Sequence, residues 1–240
     1  MRIAVFHNSP GEGGARRALA HLLRELHRKH QIDLYSCVPV SETMVPIRDA
    51  VDTIRSVPVR LMPSIRYRSG LLTRAHSLVG TLWNLSRMRA ASRKIARRID
   101  SAGYDVVLSD ICHVTMAADV LYYTKTPTVF LCQNPMRRVR EPAEFFKGPR
   151  PRFRSWVDAY YDKSCRLVEA VEKWILRRRE VRNARAAGRV MCNSLYSREA
   201  IYHAYGIMAH PFRLCVDLEC FRCLDQPQRA GVLSVGGMQF

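Results

Sequence analysis

Four stretches of the 240-residue chain hold side chains fit for chemistry, and each follows a run that reads as a β-strand. The first goes from His7 through Asn8-Ser9-Pro10-Gly11-Glu12 to Gly13-Gly14, with Arg16-Arg17 close behind. Glycine lets backbone N–H groups approach an anion, and a helix opening at Ala15 would add its positive end. Gly13 and Gly14 are therefore candidate binding residues, although a tight strand-to-helix turn uses the same types. The second stretch, Ser109–His113, offers His113, which can hydrogen-bond a hydroxyl or stabilise developing charge. Asp110 beside it is a candidate binding residue and equally a candidate helix N-cap. The third is Gln133-Asn134-Pro135-Met136-Arg137. A planar guanidinium binds phosphate bidentately, and the amides of Gln133 and Asn134 suit hydroxyl groups; a surface turn is the plainer alternative. In the fourth, Asn193 and Ser194 can bind substrate, or satisfy the unpaired N–H groups of a helix opening near Ser197.

Metal chemistry is not expected. Cys215, Cys220 and Cys223 begin an iron–sulfur-like spacing, but no cysteine follows to complete it.

The elements that must position these residues follow from hydrophobic period. Arg2–Phe6, Ile32–Val38, Asp105–Ser109, Thr128–Cys132 and Arg189–Asn193 are short apolar runs, as strands buried on both faces should be, and Val57–Met62 is a weaker candidate. Residues 15–29 carry Leu19, Leu22, Leu23 and Leu26 at helical spacing, and helices are expected over about 70–101, 113–123 and 155–186. Strands alternating with helices imply an α/β fold: a doubly wound, mostly parallel sheet with helices on both faces. Such sheets bind ligands beyond the carboxyl ends of their strands, where all four stretches fall.

Charge narrows the partners. The chain has 39 Lys+Arg against 21 Asp+Glu, a net +18, with 48% hydrophobic residues. That usage is globular and favours an anionic partner. Between Thr53 and Ile99 there are eleven Arg/Lys and no acidic residue, interleaved with Leu, Val, Trp83 and Met88. This reads as a basic amphipathic helix, fit to lie on an anionic membrane surface or to pack on the sheet with its arginines in water. A second basic region, 137–182, includes Arg150, Arg152 and Arg154 and reads as a loop over the binding edge. Nucleic acid is the rival partner, but no zinc finger, helix-turn-helix or RNA-stacking motif accompanies the charge. The opening residues lack a secretory pattern and no apolar run reaches 18 residues, so the expectation is a cytoplasmic protein, at most peripheral on the inner face of a membrane. The scattered cysteines, several inside apolar runs, fit reduced thiols acting as small hydrophobes.

The motifs resemble those of family 4-like glycosyltransferases of GT-B fold. RIAVFHNSPGEGGARRALAHLLREL resembles the family's first strand, glycine loop and helix; YDVVLSD resembles a later strand; TVFLCQNPMRRVREP resembles a segment in which histidine usually stands at Gln133. The most specific match runs from Val190 to Phe221, with Asn193, Ser194, Ser197, Arg198, Tyr205, Gly206, Val216, Asp217 and Phe221 in order and spacing. The ending VLSVGG resembles the start of the family's second domain, with Gly237 where arginine is usual.

The resemblance implies an acceptor-binding domain over residues 1–228, and over 229–240 the first strand and turn of a donor-binding domain. It implies a hexosyltransferase-type enzyme passing a sugar, with retention, from a nucleotide-sugar co-substrate to a hydroxyl of a glycan or lipid-linked acceptor. No cofactor is implied, and this stretch alone is expected to be inactive. His113 is the catalytic candidate; Gly13, Gly14, Asp110, Gln133, Asn134, Arg137, Asn193 and Ser194 are the substrate-binding candidates. The family's donor-binding E-x7-E belongs to the second domain. Glu172 and Glu180 share that spacing but lie in a helical run, about 80° apart around its axis. They read as solvated partners of Arg177 and its neighbours. The alternative function is a non-catalytic basic module for anionic membrane or nucleic acid.

Overall fold

The computed structural model describes residues 1–10, 13–40, 42–43, 45–65, 67, 69–135 and 156–212, with backbone alone for 156–159. Arg137, the 150–154 arginines, Cys215, Cys220, Cys223 and the expected second-domain segment 229–240 lie outside the described residues.

Seven strands form one sheet: β1 (Arg2–Asn8), β2 (Gln31–Ser36), β3 (Thr53–Ser56), β4 (Val106–Cys112), β5 (Thr128–Leu131), β6 (Arg189–Cys192) and β7 (His210–Pro211). Their order is β3-β2-β1-β4-β5-β6-β7, every pairing parallel. The chain winds outward from β1 in one direction and from β4 in the other, so the topological switch lies between β1 and β4. The helices are α1 (Gly14–His27), α2 (Gly70–Ala102), α3 (Val120–Tyr123), α4 (Trp156–Arg185) and α5 (Leu195–Tyr205).

Alternation along β1 divides the core. Ala4 and Phe6 face one side, against Met88, Ala91, Ile95 and Ile99 of α2. Ile3 and Val5 face the other, against Leu19, Ala20 and Leu23 of α1. Around β5 and β6, Phe130, Val190 and Cys192 pack on Ala184 of α4 and on Ile201 and Tyr205 of α5. The sheet is therefore doubly wound, as expected. The inner face of α2 accounts for its position, and its arginines are left outside. Gly103 ends α2 at φ +70° and Gly206 ends α5 at φ +71°, left-handed positions where glycine avoids the strain of a Cβ.

Three expectations need correction. Val57–Met62 is not a strand: β3 is Thr53–Ser56, and Pro58 has no N–H to extend the ladder, though the N–H groups of Val57 and Val59 still reach Ser36 and Cys37 carbonyls. The 113–123 helix shrinks to Val120–Tyr123, because the chain first doubles back in a bridge between Cys112 and Met116. Glu172 and Glu180 are not solvated. Glu172 is buried and accepts from Ser77 and Thr81 of α2; Glu180 is fully buried and accepts from the Tyr205 hydroxyl. Their face of α4 looks inward, where carboxylates need dedicated donors.

Buried Asp119 fastens these layers. Its carboxylate accepts from Arg179 Nε at 2.8 Å, Arg182 Nη2 at 3.1 Å and Asn183 Nδ2 at 2.9 Å, while Arg179 also donates to the Leu85 carbonyl of α2 at 2.9 Å. Removing one partner of a buried ion pair strands the others, at a cost of about 3–5 kcal/mol. Asp119→Ala should lower the unfolding free energy by about that amount in urea titration, whereas Asp105→Ala, at an exposed turn, should cost roughly 1 kcal/mol or less.

Cys37, Cys112, Cys132 and Cys192 are buried free thiols, and Cys165 is a half-buried one. Burial, with smaller contributions from Cys112 and Asp119, pushes the Cys37 thiol from 9.0 up to about 12. Cys132 and Cys192 also move upward, chiefly through burial. Cys37 holds its proton more tightly folded than unfolded, so its stabilising contribution is complete below pH 9.0 and is lost as pH rises toward about 12, and Cys132 and Cys192 act in the same direction. Unfolding free energy measured across that window should fall. At its lower end, Cys37 should resist alkylation while Cys165 reacts.

Candidate functional site

The register between β1 and β4 slips once, and the slip makes the site. Phe6 pairs with Ser109, but Asn8 pairs with Cys112, so β4 carries one extra residue opposite His7. Such a bulge re-aims a side chain at a strand end. Here it sets Asp110 against His7, with Nδ1 to Oδ2 at 2.9 Å; both side chains are buried, at 2% and 0% exposure. His7 follows the face of Val5, and Asp110 that of Leu108, both on the α1 side. A carboxylate only accepts, so in the neutral imidazole the proton faces it from Nδ1 and the lone pair lies on Nε2.

Nε2 of His7 and Oδ1 of Asp110 are buried and find no hydrogen-bond partner among the described residues. A buried polar atom left unpaired costs about 1–3 kcal/mol. Two on one pair, at the switch point, constitute a site that a ligand hydroxyl or ordered water would complete.

Asp110 is thus a strand residue bound to His7, not a helix N-cap. The sequence pattern ends β1 at Phe6 and leaves His7 in the following turn, whereas the strand runs on to Asn8 and includes it. Its neighbour Asn8 faces the other way. The Asn8 amide oxygen accepts from Cys37 N at 3.1 Å, and its NH2 points at Met88 Sδ and Cys112 Sγ. The Asn8 carbonyl accepts from His113 N at 2.7 Å, which ties the β4–α3 connection to the end of β1.

His113 is exposed and lines a cavity of about 630 Å³ at this edge. Leu61, Met62, Pro63, Val114 and Leu176 supply apolar walls; Ser64, Thr81, Asn84, His113 and Glu172 supply polar groups. The volume suits a small organic ligand. Among the described residues no Arg or Lys lines it.

Gly13 and Gly14 begin α1, with Gly13 as N-cap at φ −78°. Its backbone is ordinary, and a Cβ on either glycine would meet nothing within 4 Å. Among the described residues, neither glycine is required by a left-handed turn or by close packing. Arg16 turns inward, donating to the Val45 carbonyl at 3.0 Å.

Gln133 donates to the Ala15 carbonyl at 3.1 Å, joining the end of β5 to the first turn of α1. Ser194 caps α5 by accepting from Ser197 N at 3.0 Å. Ser197 Oγ donates to the Gln133 carbonyl at 2.9 Å and lies 2.7 Å from Asn193 Oδ1. Gln133, Asn193 and Ser194 therefore belong to one lattice knitting three strand ends together. Asn134 is exposed beside it.

No protein-family model matches the chain, and no curated protein matches it in sequence. In fold it is similar to three crystal structures of Anabaena Alr3699/HepE: in complex with UDP (TM-score 0.55), with UDP-glucose (0.54), and with UDP and glucose (0.53). Identity is 14% in each, covering 94% of this chain and 47% of that one. The chain spans about half the length of the structures it matches. The fold is that of GT-B glycosyltransferases.

Asp110→Asn should reverse the His7 tautomer, because an amide NH2 can donate to Nδ1 where a carboxylate only accepts. Two-bond ¹H–¹⁵N correlation spectra should show Nδ1–H in the wild type and Nε2–H in the variant, with the other histidines unmoved.

Proposed function

We propose that this chain is the acceptor-binding unit of a GT-B glycosyltransferase, acting at the cytoplasmic side. The intact protein transfers a hexosyl group from a nucleotide-sugar to a hydroxyl of a glycan or lipid-linked acceptor. The observation that supports this reading best is the His7–Asp110 pair, with its bare ring nitrogen at the topological switch of a GT-B sheet.

The acceptor head occupies the cavity beside His113, held by Asn84, Thr81 and His113 through hydroxyl hydrogen bonds and by Leu61, Met62 and Leu176 through apolar contact. The acceptor reaches from this cavity over the strand tips to the α1 side of the sheet, where His7 Nε2 accepts from the reacting hydroxyl and fixes its lone pair toward the anomeric carbon. The acceptor oxygen bonds to that carbon while the bond to phosphate breaks, and the nucleoside diphosphate leaves with the electron pair. The resemblance implies retention. Attack from the leaving-group face then passes the hydroxyl proton to His7 Nε2, which already accepts it, and the Asp110 carboxylate steadies the imidazolium that forms. The open N-terminus of α1 at Gly13-Gly14 faces developing phosphate charge, which N–H groups and the helix dipole stabilise.

¹H NMR of the product formed by a protein carrying both lobes tests the stereochemistry. A retained anomer is expected; an inverted one would make His7 a general base in a single in-line displacement. His7→Ala should lower kcat/KM about 100-fold or more, the scale of loss when a reacting group is misplaced. Unchanged turnover would remove the pair from the mechanism.

A further inference from the structure

Buried Asp119 draws arginines of α4 to one side of the α2–α4 contact, and other arginines gather there with them. Arg179 and Arg182 both bind its carboxylate, and together with Arg89 of α2 and Arg178 of α4 they line a slot between the two helices. Most of these guanidinium groups are held by aromatic side chains. Arg182 lies 4.1 Å from the centroid of the Tyr122 ring and Arg178 5.2 Å from that of Trp174, while Arg89 Nε donates to the Tyr123 hydroxyl at 2.6 Å. On the outer face of the same Tyr123 ring, Arg93 adds a fifth guanidinium at 4.8 Å. A ring against a guanidinium fixes its plane and leaves its N–H edge for oxygen ligands.

The slot measures about 480 Å³, within the span of small-molecule sites. Leu82, Ile175 and Trp174 give it apolar walls. It is separate from the cavity beside His113. Thr81 and the Leu85 carbonyl of α2 meet α4 through Glu172 and Arg179. At about 100° per residue, Asn84 lies about 60° to one side of Thr81, toward the His113 cavity, and Leu82 and Arg89 lie about 80–100° to the other. On α4, Leu176 and Ile175 part in the same way around Glu172. The packed seam of the two helices therefore divides the two spaces.

We propose that this slot binds a small molecule that joins a phosphate to an apolar body. Charge requires the phosphate. Among the described residues Asp119 is the only carboxylate in ion-pair contact with any of the five arginines, so positive charge is left in excess. Guanidinium groups in fixed planes meet a phosphate through paired N–H donors. The walls require the apolar body, because Leu82 and Trp174 are 49% and 58% exposed and a bare anion would leave them in water.

Shape argues against the larger anionic partners. Arg179 and Arg182 are recessed, at 14% and 35% side-chain exposure, so a flat bilayer surface would rest on the rims of the slot. An acidic helix, about 10–12 Å across, would span the rims as well. A narrow ligand reaches the floor. The inference stands on this slot and is independent of the transfer reading.

The test is isothermal titration calorimetry of the full chain with 1-naphthyl phosphate, inorganic phosphate and 1-naphthol as probes. 1-Naphthyl phosphate should saturate at one per chain, at least tenfold tighter than either of the others, and should weaken as salt is raised. Arg89→Gln with Arg178→Gln should weaken it about tenfold or more. Lys94→Gln with Arg97→Gln, which removes the same charge from α2 outside the slot, should leave it unchanged. Trp174→Ser should bring 1-naphthyl phosphate down toward inorganic phosphate, and circular dichroism would establish that each variant folds. Equal losses in the two charge-removing pairs, or binding that does not saturate, would reduce the slot to diffuse surface charge and overturn the proposal. Phosphatidylglycerol vesicles or an oligoglutamate peptide bound tightly while 1-naphthyl phosphate is ignored would overturn it too. Neither a donor nor a second lobe is needed for this titration, so its failure leaves the transfer reading standing.

Discussion

One extra residue in a β-strand sets the geometry of the candidate site. Without the slip between Phe6–Ser109 and Asn8–Cys112, Asp110 would not sit where it does opposite His7. With it, a carboxylate and an imidazole share a proton at the point where the sheet's winding reverses. Burial sharpens the consequence: each group is shielded from water and keeps one atom unsatisfied. A protein interior rarely tolerates two such atoms without a use for them.

The rest of the molecule supports that point. The Gln133–Ser197–Asn193 lattice ties the end of β5 to the starts of α1 and α5, and the Asn8–His113 backbone bond ties β1 to the chain leaving β4. Farther out, Asp119 gathers Arg179, Arg182 and Asn183, so α4 is held to the α3 turn and to α2. These contacts hold the strand tips in fixed relation, as a site needs when it must place a hydroxyl within a fraction of an ångström. Among the described residues the cavity is lined without a lysine or arginine, and many of the arginines of α2 and α4 lie on the outer surfaces of those helices.

Much of this was legible in the sequence, because buried parallel strands announce themselves as apolar runs and helices by their leucine spacing. The sheet, its winding and the edge bearing the site follow from those signals alone. What escaped notice shares a cause: polar residues inside structured elements. His7, Asn8 and Asp110 look like loop residues because they are polar, yet each is inside a strand, with its polarity answered by a partner far along the chain. Glu172 and Glu180 look like surface residues of a basic helix for the same reason, and their donors, Ser77, Thr81 and Tyr205, lie on other helices. Apolar content points to a helix over 113–123 because it carries no mark of a chain doubling back between Cys112 and Met116. Pairing across 100 residues is a tertiary fact, and a hydrophobic pattern does not encode it.

The central claim is that the buried ring nitrogen of His7 waits for a hydroxyl. It is tested most directly by the ¹⁵N resonance of His7 Nε2 while an alkyl glycoside is titrated into the 240-residue chain. The account predicts a saturable upfield movement of that resonance, as the lone pair accepts a hydrogen bond, and no such movement in His7→Gln, whose ring is gone. A glycoside that shifts His113 and saturates while His7 Nε2 stays still would contradict it.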